Sequence, residues 1–344
     1  MVVFVLVFVS LLFLGGIVIL LFPSLLPLST QDSALRTAAA PAALPLPDKP
    51  SIVVLPFDNM SKDPAQDYFS NGITEVLTSD LSRLSSLFVI ARNTAFTYKG
   101  KPMNVQDVGK ELGVRYVLEG SVQRAGEQVR ITVQLLDATT GGHLWTERFD
   151  RPFKDIFALQ DEIVQKIVTT LKLQLTVREH GWIVRKHTDN LDAYDSVLRG
   201  VEYVYRFTRE TTAQARQMYE KAVALDPQYA EAYTWLGTSY WMEWRFHWST
   251  KPQNLERAFA LGQKALALDD SLPIAHSLLS NVYAVKQQYD QAIAEGERAI
   301  ALDPNNADSY ERQAAVLNFA GRPEDALRMV EQAMRRKPLL RTGT

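Results

Sequence analysis

The spacing of hydrophobic residues changes several times along the chain. Val2 to Phe22 is almost uniformly apolar, and a proline-rich stretch follows it at residues 23–50. Residues 51–178 mix short apolar runs, alternating stretches and helical spacing, which is typical of strands and helices in one domain. From about residue 190 onward the chain repeats itself. The pattern therefore predicts an apolar segment, a linker, a mixed domain and a repeat domain.

The mixed domain begins with a predicted buried strand, Ile52–Phe57, followed by apolar residues at helical spacing over 65–84. A second strand in "LFVIAR" and a short helix in "NVQDVGKELG" come next, and Gly113 has the position of a helix C-cap. Three strands follow with hairpin turns at Gly126 and at Gly141-Gly142, and "DIFALQDEIVQKIVTTLKLQL" is an amphipathic helix. The order β-α-β-α-β-β-β-α predicts a small mixed sheet covered by helices.

The repeat domain carries one motif four times. "KAVALDP" ends at Pro227, "KALALDD" at Asp270, "RAIALDP" at Pro304 and "QAMRRKP" at Pro338, so the intervals are 43, 34 and 34 residues. This period and motif resemble the tetratricopeptide repeat, a helix–turn–helix unit that stacks into an α-solenoid. The resemblance is detailed in the second unit, where four positions match the family's Trp, Leu, Gly and Tyr of the first helix: Tyr233, Leu236, Gly237 and Tyr240.

Partner binding is the activity that the tetratricopeptide resemblance implies, in a groove lined by the first helix of each unit. By register the groove presents polar side chains that bind a protein or peptide or are only solvated: Glu231, Thr234, Thr238, Ser277, Asn281, Glu311 and Asn318. The 43-residue interval contains an aromatic insertion with Trp241, Trp244 and Trp248. These rings either pack on neighbouring helices or anchor a partner, since Trp is frequent at interface hot spots.

The apolar first segment is long enough to cross a bilayer. A helix of 21 residues, as in Val2 to Phe22, extends over about 30 Å, the thickness of the hydrocarbon core. A cleaved signal peptide has a charged start and a shorter apolar run. We therefore expect residues 1–22 to be an uncleaved anchor that contacts the membrane through residues 2–22, with a cleaved signal or a buried helix as alternatives.

The mixed domain also resembles a known family. "SIVVLPFDNMSKDPAQDYFSNGITEVLTSDLSRLSSLFVIARNTAFTYKG" and "ELGVRYVLEGSVQRAGEQVRITVQLLDATTGGHLWTERFDR" are similar to the TolB amino-terminal-like domain. In many bacterial signalling proteins this domain follows a class III adenylate/guanylate cyclase or winged-helix domain and one membrane span. The resemblance implies a single-pass protein of the bacterial inner membrane with residues 23–344 in the periplasm. It supplies no catalytic residue.

The composition limits the kinds of partner and site that the chain can have. The formal net charge of -2 gives no general attraction to nucleic acid, and we expect none as a partner. The chain has no cysteine, which excludes disulfides and thiolate metal sites. Neither a dinucleotide-binding nor a P-loop glycine motif is present. The sequence therefore predicts no catalytic residue, no cofactor and no metal site.

The predicted fold class is α+β then all-α: a transmembrane helix, a small mixed α/β TolB-like domain and an α-solenoid of three to four tetratricopeptide repeats. The predicted boundaries are an anchor at 1–22, a linker at 23–50, the α/β domain at 51–178 and the repeats at 190–340. We expect a membrane-anchored, non-catalytic sensory or scaffold protein. The alternative is the regulatory part of a class III adenylate cyclase or of a membrane-tethered winged-helix regulator, with the output domain outside this chain.

Overall fold

The structure, a computed structural model, describes residue 44 and residues 46–61, 63–179 and 188–338. Its first part is a sheet with helices on both faces. The strands are β1 (Ser51–Val54), β2 (Asp58–Asn59), β3 (Phe88–Val89), β4 (Tyr116–Ala125), β5 (Gln128–Asp137) and β6 (Gly142–Pro152). The helices are α1 (Asp67–Ser82), α2 (Arg92–Phe96), α3 (Val105–Leu112) and α4 (Ile156–Thr170).

The sheet is mixed, as the sequence predicted. Its strand order is β3-β1-β4-β5-β6, and β2 pairs with β4 off this path. β1 is parallel to β3 and β4, whereas β4, β5 and β6 are antiparallel neighbours. β1 ends earlier than predicted because Pro56 has no N–H to donate and the Phe57 N–H instead donates to Thr74 Oγ1 of α1 at 2.9 Å.

Two apolar layers hold the sheet. Helices α1 and α4 cover one face, where Ile73, Leu77 and Ile163 are fully buried against strand residues such as Ile131. Helices α2 and α3 cover the other face around β1 and β4. Helix α3 ends as predicted, because Gly113 has a left-handed backbone with φ 64° and closes the helix.

Four antiparallel helix pairs make up the second part. They are α5 (Leu191–Val204) with α6 (Arg209–Leu225), α7 (Ala230–Arg245) with α8 (Asn254–Leu268), α9 (Pro273–Val285) with α10 (Tyr289–Leu302), and α11 (Ala307–Phe319) with α12 (Pro323–Arg336). Gly237 allows α7 to approach α9 closely, since a Cβ at this position would lie 2.7 Å from Leu278 Cδ2. Both parts fall in one compact unit, so the predicted boundary between 178 and 190 stays a prediction.

The predicted anchor at residues 1–22 lies outside the described residues. In the part of the chain that the structure describes, no helix is long and apolar enough to cross a membrane. The longest of these helices, α6, has 17 residues and reaches only about 25 Å, and it contains charged residues such as Arg209 and Glu210. This finding overturns the transmembrane element of the predicted fold class. It also overturns the predicted single-pass location in the bacterial inner membrane with residues 23–344 in the periplasm.

Candidate partner-binding surface

Helices α5, α7, α9 and α11 form an inner row, because each contacts the next one directly. The second helix of each pair packs against this row from outside. Every predicted partner-binding residue lies on α7, α9 or α11 except Trp248, which follows α7. The structure therefore brings the predicted residues onto one row of helices, although their environments differ.

Two of the predicted side chains are buried. Thr234 is 1% exposed, and its hydroxyl donates to the Ala230 carbonyl oxygen at 3.2 Å. Ser277 is 3% exposed, and its hydroxyl lies 3.3 Å from the Ser309 hydroxyl of the next inner helix. Both hydroxyls thus have partners within the array, and neither is open to a ligand in this structure.

The two predicted carboxylates also have internal partners. Glu231 accepts hydrogen bonds from the Trp235 indole N–H and the Tyr229 hydroxyl, each at 3.3 Å. Glu311 pairs with Lys337 Nζ at 2.8 Å. Burial alone would lower the pKa of Lys337, but the nearby carboxylates of Asp308 and Glu311 outweigh it and raise the pKa. These ion pairs connect α11 to the end of α12.

Three predicted side chains are partly exposed: Thr238 on α7, Asn281 on α9 and Asn318 on α11. Beside the two asparagines lie the last residues of their helices, Val285 at 37% exposed and Phe319 at 65% exposed. This apolar pair was not predicted from the sequence. The two residues stand one 34-residue period apart, and that equivalence is the signal that could have identified them.

The aromatic insertion packs largely on itself. Trp241 stacks on Trp244 with ring centroids 5.4 Å apart. Trp248 contacts Phe246 at 5.1 Å and Phe207 at 5.6 Å. Because Trp248 also borders the core of the first two helix pairs, its geometry favours packing. Anchoring of a partner by the three tryptophans stays a prediction.

The repeat array begins directly against the sheet domain. Asp195 of α5 accepts hydrogen bonds from the Tyr68 hydroxyl at 2.7 Å, Arg124 Nη1 at 2.9 Å and Arg199 Nε at 2.8 Å. Burial alone would raise the pKa of the Asp195 carboxyl, but the hydrogen bonds from Arg199 and Tyr68 outweigh it and lower the pKa. Further along the two helices, Asn71 Nδ2 donates to Glu202 at 2.9 Å. Helix α1 therefore docks on α5 through polar contacts along its length.

A second contact joins the far end of the array to the sheet domain. Asn305, 2% exposed, precedes α11 and points into the loop between α1 and β3. Its Nδ2 donates to the carbonyl oxygens of Ser82, Leu84 and Leu87 at 2.9, 3.2 and 3.0 Å. Its Oδ1 accepts the Val89 N–H at 3.4 Å. One side chain thus bonds to backbone groups at the end of α1 and on the edge strand β3, and of these the Leu84 carbonyl oxygen has a second partner, the Leu87 N–H.

A buried ion pair provides a third contact between the sheet domain and the repeats. Arg92 Nε lies 2.6 Å from Glu75 Oε2, and its guanidinium carbon lies 3.7 Å from the Tyr205 ring centroid. Burial raises the pKa of Glu75 and Arg92 opposes this, while Asp308 and Glu231 raise it further. Because Tyr205 directly follows α5, this ion pair also joins the sheet domain to the first inner helix.

No metal centre accompanies these contacts within residues 46–61, 63–179 and 188–338, where no group of three His, Asp or Glu residues could hold an ion.

Family comparisons identify the repeats. A model described as "TPR repeat" matches residues 209–243, and models described as "Tetratricopeptide repeat" match residues 273–306 and 296–328. The helical part therefore contains tetratricopeptide repeats, which confirms the interpretation of the period. Residues 48–166 match the model "HilA/YgeH-like transcriptional regulator, second domain". None of these matches names a TolB-like domain.

A curated relative covers most of the chain. The protein named "Putative adenylate cyclase 3" of Rhizobium meliloti (strain 1021) is 44% identical over 248 residues, which are 72% of this chain. The chain spans 42% of that relative's length. TTC0263, a thermophilic TPR protein in Thermus thermophilus, is 18% identical over 54% of this chain and 87% of its own, with a TM-score of 0.38. TolB from Acinetobacter baumannii is 20% identical over 38% of this chain and 30% of its own, with a TM-score of 0.29.

Proposed function

We propose that this chain is a non-catalytic protein-interaction module whose repeats bind an extended peptide segment at the ends of α9 and α11. The observation that carries the proposal is the exposed pair Val285 and Phe319, next to the partly exposed Asn281 and Asn318. Apolar side chains flanked by polar groups are typical of protein interfaces. The buried hydroxyls of Thr234 and Ser277 and the paired carboxylates have a structural role in this proposal.

The size of the surface suits a short peptide. Packed helices lie about 8–10 Å apart, so three residues of extended chain at about 3.3 Å each reach from α9 to α11. An apolar side chain of the peptide would contact the Phe319 ring, and the amides of Asn281 and Asn318 can donate to and accept from its backbone. We therefore expect a ligand with at least one large apolar side chain.

Selection of displayed random peptides on the purified chain tests this proposal. Phe319→Ala should weaken the selected peptides at least tenfold, since truncation of a central aromatic contact costs about 2 kcal/mol. Leu327→Ala is the matched control, because Leu327 is 46% exposed but lies on the outer helix α12. Equal binding by both variants and the unchanged chain, or no selected peptide at all, would contradict the proposal.

The alternative that the relative favours is a regulatory role in cyclic nucleotide signalling. Its support is the 44% identity to a protein named as an adenylate cyclase. On this proposal the catalytic domain is a separate part, and the purified chain with ATP and Mg²⁺ forms no cyclic AMP. A class III catalytic domain fused ahead of this chain should change its turnover when Asn305→Ala loosens the repeat contact. Cyclic AMP from the chain alone, or unchanged turnover in the fusion, would argue against it.

We propose that residues 51–178 are a TolB amino-terminal-like domain, on the strength of the motifs that begin at Ser51 and continue to Arg151. The match of residues 48–166 to the second domain of a transcriptional regulator supports a regulatory rather than a catalytic role. On this proposal the sheet domain senses or transmits a signal and carries no catalytic residue.

A further inference from the structure

The two edges of the sheet differ in whether other parts of the chain cover them. At the β3 edge the repeats cover the strand: the Val89 N–H donates to Asn305 Oδ1 and the Ala91 N–H donates to the Arg336 carbonyl oxygen at 3.0 Å. At the other edge, β6 pairs with β5 on one side, and no described strand pairs with its other side. β6 is 11 residues long. An uncovered edge of this length is a template for pairing with another strand.

The hydrogen-bond phase shows which groups of β6 point outward. The Phe153 N–H donates to the Glu127 carbonyl oxygen at 2.7 Å, just beyond the pair Gln128–Pro152. In an antiparallel ladder such pairs alternate, so beyond the irregularity the odd-numbered residues of β6, from Trp145 onward, bond to β5. The N–H and C=O groups of three exposed residues therefore point away from the sheet: Thr146, Arg148 and Asp150.

Pro152 agrees with this phase independently. It is an even-numbered residue of β6, so its nitrogen faces outward and β5 loses no hydrogen bond. Helix α4 contacts β6 from one face only, through Lys166 with Glu147 at 3.2 Å and Arg151 with Glu162 at 3.4 Å. The irregularity in the ladder falls at Leu135/Leu136, opposite the start of β6. The ladder from 146 to 152 is therefore regular, and its outward backbone groups at Thr146, Arg148 and Asp150 belong to exposed residues, whereas Pro152 has no N–H to donate to a new strand.

The geometry points to a second copy of this chain as the occupant of the β6 edge. Two antiparallel β6 strands centred on Phe149 place Arg148 opposite Asp150 of the other copy, and this ion pair occurs twice. A register centred on Arg148 would oppose two guanidinium groups, which destabilises a cross-strand pair. The alternating charges thus select one register, and we infer a homodimer with one continuous sheet.

The exposure and charge of Asp150 suit this pairing. Its carboxylate is exposed and lies 2.5 Å from Arg130 Nε and 3.1 Å from Arg148 Nε. The hydrogen bond from Arg130 lowers its pKa, so the carboxylate stays charged well below neutral pH. In the dimer the second guanidinium comes from the other copy. The inference does not depend on the peptide surface of α9 and α11.

Disulfide trapping tests the register, because the full chain has no cysteine of its own. Chain with Arg148→Cys is mixed with chain with Asp150→Cys under mild oxidation. Opposed residues of a hydrogen-bonded pair have Cα atoms about 5.5 Å apart, within the range of a disulfide. Two copies of residue 148 lie about 7–8 Å apart, outside it. We expect the mixture to form a cross-linked dimer and each variant alone to form little.

Charge reversal provides the second measurement, by sedimentation of the full chain. Arg148→Asp should weaken dimerisation on the order of tenfold, since two attractive pairs become repulsive. Adding Asp150→Arg to the same chain should restore it. Leu327→Cys gives the collisional background for cross-linking. Cross-linking of the mixture at that background, a dimer insensitive to Arg148→Asp, or a monomer at every concentration would each overturn the inference. A monomer would mean that the charged side chains of β6 prevent its edge from pairing with another strand.

Discussion

Asn305 offers the sharpest test of how the two parts of the chain depend on each other. Asn305→Ala removes the side chain that donates to Ser82, Leu84 and Leu87 and accepts from Val89. We expect a large loss of stability because the site is buried and these backbone groups belong to the sheet domain. The neighbouring substitution Asn306→Ala is a matched control, since Asn306 caps α11 by accepting the Ser309 N–H at 3.1 Å.

The magnitude follows from the groups left unpaired. The Leu84 carbonyl oxygen also accepts the Leu87 N–H at 3.1 Å, so it keeps a partner. The carbonyl oxygens of Ser82 and Leu87 and the Val89 N–H lose theirs, at about 1 kcal/mol each or more. Asn305→Ala should therefore lower the free energy of unfolding by about 3 kcal/mol. Loss of the helix cap in Asn306→Ala should lower it by about 1 kcal/mol.

Urea unfolding and amide hydrogen exchange measure the effect. In Asn305→Ala the Val89 amide should lose protection, whereas the Ile90 amide, which donates to the Ile52 carbonyl oxygen at 3.0 Å within the sheet, should keep most of it. If Asn305→Ala costs no more than Asn306→Ala, or if Val89 stays protected, the repeats do not stabilise the β3 edge as argued.

Two other predictions concern single side chains. Burial raises the pKa of Asp161 to about 6, with a contribution from Asp80, so the folded state keeps a proton that the unfolded chain releases near pH 4. Stability should fall as the pH rises from about 4 to about 6, and Asp161→Asn should remove that fall in urea unfolding. Trp248→Ala should cost about 2 kcal/mol and Phe319→Ala less than about 0.5 kcal/mol in thermal unfolding, because only Trp248 packs on neighbouring rings. Equal losses would contradict the packing of Trp248.

Local features of the fold were predictable because their causes lie within a few residues. Gly113 ends α3 with a left-handed backbone, and Gly126 and Gly141 have positive φ in the two hairpins, as the strand pattern indicated. The 34-residue period gave the helix pairs, since small residues such as Ala258 and Ala265 recur where helices touch, and both are fully buried. These signals repeat or stand next to each other in the sequence.

Long-range contacts were not predictable from the same signals. Asn305 follows the proline of its repeat motif, where a polar turn residue is ordinary, and its partners lie more than 200 residues away. Register placed Thr234 and Ser277 on the inner face, but spacing alone does not show whether neighbouring helices bury that face. Val285 and Phe319 are the opposite case to these buried polar residues: both are apolar, and the fold leaves them exposed.

The sheet and the repeats depend on each other at the β3 edge. Without the repeats, the Val89 and Ala91 N–H groups would be unpaired and the edge would be open to other strands. Without the sheet domain, Asn305 and Arg336 would lose the partners that bury them. Because α11 begins beside Asn305 and ends at Phe319, a single rigid helix connects this contact to the proposed peptide surface. A ligand at its end that distinguishes two positions of α11 would therefore act on the β3 edge as well.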